Sequence, residues 1–138
     1  MIKLIVGKKG SGKTKTLIDL VNAALSTTKG SVVCIEKGNK LIHEVKYQAR
    51  LIDTDEYLIF DAHALYGFVS GIAASNHDVT DIFIDSALKI CENNVAEFEV
   101  FVDNLNKFTA NHNINIVMTS SIPFEEVTPA LDAYVVNK

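Results

Sequence analysis

Mainly apolar runs alternate along the chain with segments whose apolar residues recur at helical spacing, and this alternation constrains the fold most. The apolar runs cover residues 2–6, 31–36, 81–85 and 113–119, and the helical patterns cover residues 13–26, 62–74 and 95–108. Short continuous apolar runs are typical of strands buried on both faces. Strands that alternate with helices predict a parallel sheet covered on both sides. We therefore predict an α/β fold, a three-layer αβα sandwich around about five mainly parallel strands.

Three weaker patterns complete the prediction. They indicate a turn of helix at 41–47 followed by a strand at 49–53, a short helix within 123–131, and a last strand at 133–136. The chain has 138 residues and contains no repeat, low-complexity tract or linker. This length suits one domain with its own core, so we predict a single domain over residues 1–138.

Composition excludes several classes of protein. Seventeen acidic and 13 basic side chains give a net charge of -4, which argues against a nucleic-acid partner. No apolar run approaches the roughly 18 to 20 residues that a membrane span needs, and residues 1–6 are too short for a signal peptide. Cys34 and Cys91 each lie in an apolar stretch, as reduced thiols in a core do. We expect a cytoplasmic protein without membrane contact.

Residues 7–14, here called the glycine loop, read GKKGSGKT and match the pattern G-x-x-x-x-G-K-[ST] between a predicted strand and a predicted helix. Glycines allow backbone N–H groups to turn inward and approach phosphate oxygens, and a helix N-terminus adds partial positive charge. Lys13 supplies a point charge to the β- and γ-phosphates, and the Thr14 hydroxyl is a ligand for Mg²⁺. The predicted nucleotide contacts are Gly7, Lys8, Lys9, Gly10, Ser11, Gly12, Lys13, Thr14 and Lys15. The alternative for Lys8, Lys9 and Lys15 is solvated surface.

A second motif ends the apolar run at 81–85. Asp85 stands where a carboxylate at the end of a buried strand holds Mg²⁺ through its water shell. The alternative is that Asp85 caps a short helix beginning at Ser86.

With these two motifs the chain resembles the P-loop NTPase superfamily over nearly its whole length. The strand order along the sequence is similar to the additional-strand branch, which includes RecA and the AAA proteins. The resemblance implies a minimal P-loop NTPase core that binds ATP and Mg²⁺. In that branch a polar sensor residue often ends the fourth strand, and Thr119 stands at the matching place. The alternative for Thr119, Ser120 and Ser121 is an ordinary polar loop.

Hydrolysis requires a group that positions the attacking water. Many members of the branch place a glutamate directly after the metal-binding aspartate, but Ser86 stands there in this chain. The first third resembles the twitching-motility and secretion ATPases (PilT-type), in which an acidic residue ends the strand after the first helix. That resemblance assigns the role to Glu36. The alternative is a surface glutamate paired with Lys37.

The chain differs from the families that it resembles, and these differences bear on which function we expect. Arg50 is the single arginine, which argues against a motor hexamer that needs arginines at a neighbour's γ-phosphate. The acidic residues at 53, 55, 56 and 61 are interpretable as a solvated loop or as a second metal ligand. We expect a slow Mg-ATPase, with a nucleotide-dependent switch as the alternative and a small-molecule kinase as a third candidate. A protein partner or a homo-oligomer stays open.

Overall fold

Five strands form one sheet in the computed structural model, which describes all 138 residues. The strands are β1 (Ile2–Val6), β2 (Ser31–Glu36), β3 (Arg50–Asp53), β4 (Val79–Ile84) and β5 (Asn115–Ser120). They lie in the order β1-β5-β4-β2-β3, and every neighbouring pair is parallel. The predicted α/β fold is confirmed, and the sheet is parallel throughout.

Helices cover both faces of the sheet. They are α1 (Lys13–Thr27), α2 (Ala62–Ser75), α3 (Ala87–Ile90), α4 (Val95–Ala110) and α5 (Pro129–Asp132), with 3₁₀ turns at Thr54–Tyr57 and Phe124–Glu126. Apolar residues of α1 share one buried cluster with one face of the strands, and residues of α2, α3, α4 and α5 share a larger cluster with the other face. The predicted three layers are therefore present.

The strands contribute alternate residues to the two clusters. In β1, Leu4 and Val6 pack toward α2 and α4, whereas Ile5 packs toward α1. Successive strand side chains point to opposite faces, so a strand buried on both sides needs apolar residues without interruption. This explains why the strands appear in the sequence as continuous apolar runs.

The topology brings distant segments to one edge of the sheet. Because all strands are parallel, their carboxyl ends lie along the same edge, where α/β proteins bind ligands. The glycine loop follows β1, Asp85 follows β4, and residues 37–41 follow β2. Strand β5 lies between β1 and β4, so its last residues reach this edge between the ends of those two strands.

One predicted strand is wrong in extent. The predicted last strand at 133–136 is reduced to one isolated bridge between Leu4 and Val135. Beyond that bridge the side-chain amide of Asn137 bonds both the N–H and the C=O of Val6, at 3.1 and 2.7 Å. A side chain thus occupies the backbone groups that a longer strand would pair.

The segment at 41–47 makes a single helical turn, with the Val45 N–H donating to the Leu41 carbonyl at 3.0 Å, and forms no continuing helix. The helix predicted within 123–131 is divided into a 3₁₀ turn and α5. None of the helices combines the length and the apolar character that spanning a membrane requires.

Candidate functional site

The glycine loop connects β1 to α1 through backbone conformations that favour glycine. Gly10 and Gly12 have φ angles of 82° and 87°, in the left-handed region. A Cβ atom at Gly7 would approach the Ser11 Oγ to 2.7 Å, so a side chain there would collide with the loop itself. The loop therefore needs these glycines for its shape.

The amides at the start of α1 are free. The N–H groups of Gly10, Gly12, Lys13 and Thr14 donate to no acceptor within the protein, and α1 has no side-chain cap at its N-terminus. Unpaired amides at a helix N-terminus, together with the helix dipole, form a site that favours an anion.

Lys13 lies inside this loop with only 9% of its surface exposed. Its Nζ donates to the Lys8 carbonyl at 2.7 Å and to the Ser11 Oγ at 3.3 Å. Burial lowers the pKa of Lys13, and the charge of Asp85 opposes that shift. The ammonium group thus contacts neutral oxygens and has no carboxylate partner. It is therefore available to bind an anionic ligand.

Asp85, Thr14 and Thr119 form a hydrogen-bonded group beside the loop. The Thr14 hydroxyl donates to the two Asp85 oxygens at 3.1 and 3.3 Å, and the Thr119 hydroxyl donates to Oδ1 at 2.8 Å. The Thr119 Oγ1 also accepts the Ser86 N–H at 2.7 Å. Asp85 and Thr119 are buried, with 9% and 1% exposure. The sequence predicted that Asp85 and Thr14 share a site, and the structure brings them together.

The structure does not show the alternatives for these two residues, a helix cap at Asp85 and a polar loop at Thr119. The cap residue of α3 is Ser86, with φ 55° and no side-chain cap bond, so Asp85 does not cap that helix. Thr119 belongs to β5 and not to a polar loop. Ser86, a non-glycine residue in the left-handed region, is a strained position of the kind often found at functional sites.

These groups line one cleft of about 560 Å³ at the carboxyl edge of the sheet. Of the predicted site residues, seven line it: Lys9, Gly10, Gly12, Lys13, Thr14, Asp85 and Thr119. Five predicted residues do not line it: Gly7, Lys8, Ser11, Lys15 and Glu36. Ser11 and Lys8 support the Lys13 ammonium from behind, and Lys15 pairs with Asp19 at 3.4 Å on the exposed side of α1.

Glu36 ends β2, and its carboxylate is bonded to the backbone. Oε1 accepts the Lys40 N–H and Oε2 accepts the Leu41 N–H, each at 3.1 Å. The side chain is 2% exposed, so Glu36 is no surface residue, and Lys37 pairs instead with Asp55 at 2.6 Å. Burial raises the pKa of Glu36, the two amides oppose that shift, and the charge of Asp85 adds to it.

Seven further residues line the cleft that sequence reasoning did not select: Lys40, Leu41, Ser86, Leu88, Lys89, Asn93 and Ser121. No motif marks them. The one available signal was positional, because Lys40 and Lys89 follow β2 and β4 at the edge where the carboxyl ends of the strands meet. Four lysines and one carboxylate thus surround a cleft in a chain of net negative charge.

The remaining candidates lie elsewhere. Asp53 accepts the N–H groups of Gly38 and Asp55, and Asp61 caps α2, so two of these acidic residues stabilise local turns. None of the acidic residues at 53, 55, 56 and 61 lines the cleft. Arg50 begins β3 in register with Val33 of β2, and it does not line the cleft. Three strands separate β3 from β1, so Arg50 is far from a phosphate bound at the glycine loop of its own chain.

The donor set beside the loop, one carboxylate and one hydroxyl, fits Mg²⁺. This ion keeps several waters and takes one or two protein ligands together with substrate phosphates. The observation that supports the fit is the hydrogen bond from the Thr14 hydroxyl to the Asp85 carboxylate, which holds the two oxygen ligands 3.1 Å apart.

No protein-family model matches the chain, and no curated protein matches it in sequence.

Proposed function

We propose that the chain binds a magnesium–nucleoside triphosphate, ATP in the first instance, in the cleft beside the glycine loop and hydrolyses its β–γ bond slowly. The observation that carries this proposal is a juxtaposition. Free amides and an ammonium without a carboxylate partner lie next to a bonded carboxylate–hydroxyl pair. An anion with a divalent cation attached is the ligand that satisfies both groups.

Each residue has a separate task. The amides of Gly10, Gly12, Lys13 and Thr14 bind phosphate oxygens, and the Lys13 ammonium moves from the Lys8 carbonyl to the β- and γ-phosphates. Thr14 and Asp85 hold Mg²⁺, and Thr119 fixes the orientation of Asp85 through its 2.8 Å bond. A Mg²⁺ ion held by Thr14 and Asp85 would supply positive charge that offsets the negative charge of the phosphates.

A nucleotide-dependent switch is the second candidate, and one observation favours it. Asp85 is the only carboxylate that lines the cleft, and the Thr14 and Thr119 hydroxyls already occupy it. Hydrolysis is slow when no further carboxylate positions the water. Single-turnover hydrolysis at excess protein separates the two, because a switch releases no phosphate on the time scale of nucleotide exchange.

The cysteines bear on the cellular compartment of the protein. Cys34 and Cys91 are free and buried, which suits a reducing compartment, so we place the chain in the cytoplasm. A switch would act through a protein partner or a second copy of the chain.

Thermal denaturation with Mg-ATP, Mg-GTP and no nucleotide tests the proposal directly. Specific binding at a hundredfold excess over the dissociation constant adds about 2.7 kcal/mol to the free energy of unfolding. This raises the melting temperature by several degrees in a domain of this size. If neither nucleotide shifts the melting temperature at millimolar concentration, the proposal is wrong.

A further inference from the structure

Glu36 is buried in the molecule without lining the cleft, yet both of its oxygens determine where a part of the cleft lies. They accept the N–H groups of Lys40 and Leu41, and both of those residues do line the cleft. We call this pair, Lys40 and Leu41, the β2 wall. A buried carboxyl group whose two oxygens accept two consecutive amides fixes the position of that backbone.

Lys40 is a free cation at this wall. Its side chain is exposed, and the four ion pairs of the molecule are Lys15–Asp19, Lys37–Asp55, Lys107–Asp103 and Lys138–Asp132. The neighbouring Lys37 is paired, whereas Lys40 makes no side-chain hydrogen bond. An unpaired ammonium on the wall of a cleft can be used by a ligand without breaking another contact.

The sheet order places the β2 wall at the metal end of the cleft. Strand β2 pairs directly with β4, the strand that leads into Asp85, while the glycine loop enters from β1 at the far edge. In the proposed complex Lys13 and the metal ligands bracket the terminal phosphate. A cation that follows β2 therefore lies beyond the diphosphate, on the side of the terminal phosphate.

We propose that Lys40 contacts the terminal phosphate of the nucleotide bound to its own chain, and that Glu36 is the positioning residue that holds Lys40 there. This rests on the proposed function. It gives the site a means to distinguish a triphosphate from a diphosphate without an arginine from a neighbouring chain. Arg50, the single arginine of the chain, does not line the cleft. Glu36 then acts through the backbone of the β2 wall.

Lys89 provides an internal comparison. It lines the same cleft, but α3 carries it, and the backbone there is held by its own turn, with the Cys91 N–H donating to the Ala87 carbonyl at 3.1 Å. Glu36 makes no hydrogen bond to α3. A substitution at Glu36 should therefore change the contribution of Lys40 to nucleotide binding. It should leave the contribution of Lys89 to nucleotide binding unchanged.

The first experiment measures the dissociation constants of Mg-ATPγS and Mg-ADP by titration calorimetry for the parent and for Lys40→Ala. We expect Lys40→Ala to weaken Mg-ATPγS binding about tenfold and Mg-ADP binding less than about twofold, since a charged contact to the terminal phosphate is lost. Lys46→Ala is the matched control, because Lys46 is exposed on the same connection but does not line the cleft. It should change neither constant.

The second experiment is a double-mutant cycle on the ratio of the two dissociation constants. Glu36→Gln should reduce the preference for Mg-ATPγS, and adding Lys40→Ala to it should reduce the preference no further than Lys40→Ala alone. Combined with Lys89→Ala, the effect of Glu36→Gln should multiply with that of the lysine. If Glu36→Gln does not fold, Glu36→Asp replaces it, because it keeps the charge and withdraws the oxygens by one methylene.

The failures are distinguishable. A parent that binds neither nucleotide overturns both this inference and the proposed function. A parent that binds both, with a Lys40→Ala variant that keeps the parent's preference or loses both nucleotides equally, overturns this inference alone. Multiplying effects of Glu36→Gln and Lys40→Ala would show that Glu36 does not act through Lys40.

Discussion

The two ends of the cleft are built in different ways. The glycine loop is a run of eight consecutive residues whose shape comes from glycine conformations and from a lysine folded back onto its own loop. The β2 wall has no such local signature. It is held by a buried carboxylate four and five residues away, and the Gly38 N–H next to it bonds Asp53 on the adjacent strand. One end is encoded locally, and the other depends on the packed sheet.

This difference bears on how each end responds to substitution. The hydrogen bonds of the Lys13 side chain stay within the glycine loop, so removing this side chain should have little effect on the rest of the fold. The β2 wall relies on one carboxyl group in the core, that of Glu36, and a buried polar group that loses its hydrogen-bond partners is costly. Binding and stability should therefore be separable at the loop and coupled at the β2 wall.

The largest effect is expected at the loop. Lys13→Ala should weaken nucleotide binding by about a hundredfold or more, because a charge-assisted contact to two phosphates is lost. It should change the melting temperature of the nucleotide-free protein little. Thermal denaturation with and without Mg-ATP measures both. Lys15→Ala is the control, since Lys15 lies two residues further along α1, pairs with Asp19 and does not line the cleft. Equal nucleotide stabilisation of Lys13→Ala and the parent would contradict the assignment of the loop.

Asp85 lies between the glycine loop and the β2 wall, and Asp85→Asn tests its role there. It should weaken Mg-ATP binding by roughly ten- to a hundredfold and ATP binding in EDTA much less, because the carboxylate acts through the ion. The Asn side chain keeps one oxygen to accept the Thr14 and Thr119 hydroxyls, which limits the structural damage. Titration with and without the metal provides the comparison. Equal losses under both conditions would make Asp85 a structural residue.

Glu36→Gln tests whether the β2 wall takes part in hydrolysis. If Glu36 positions Lys40, the turnover number at saturating Mg-ATP should fall less than about tenfold while the preference over ADP declines. A general base in this place would instead lose about 10²- to 10⁴-fold in turnover with binding preserved. Phosphate release under single-turnover conditions separates these outcomes, and the second one would restore the catalytic role that the sequence predicts for Glu36.

The smallest effect concerns pH. Burial raises the pKa of Glu36 above its usual value of 4.5 in the folded protein. The folded state therefore holds this proton at pH values where the unfolded state has released it. The contribution of Glu36 to stability is present below pH 4.5 and is lost as pH rises through the native pKa. Urea denaturation at several pH values should show this loss in the parent and not in Glu36→Gln. A pH-independent difference between them would contradict it.

The fold was predictable to the extent that it depends on neighbouring residues. The runs at residues 2–6 and 31–36 became strands with the predicted bounds, because an uninterrupted apolar run has no exposed face to support a helix. The strand expected at 133–136 did not form, although its residues suit one. The side chain of Asn137 takes the backbone groups of Val6 that a further strand residue would have paired. The sequence pattern at residues 133–137 does not indicate that the Asn137 side chain bonds these backbone groups.

The candidate site divides in the same way. The loop geometry and the proximity of Thr14 to Asp85 were predictable, since a motif and a strand end suffice to locate them. The bonds from Thr119 to Asp85 and from Glu36 to Lys40 were not predicted. The first joins residues 34 positions apart, Thr119 on β5 and Asp85 directly after β4, and it exists because β5 pairs with β4. The second spans only four residues, but the carboxylate accepts those amides because the packed sheet buries it at the end of β2.

The sequence by itself thus determined the alternation of strands and helices, the shape of the glycine loop and the cation at Lys13, because each depends on side chains within a few residues of one another. The tertiary structure alone decided the strand order, the burial of Glu36 and the position of Lys40 in the cleft. The physical reason is that burial withdraws a polar group from water and obliges it to bond whatever donors packing brings near. For Glu36 those donors are the amides of the β2 wall, and packing selected them.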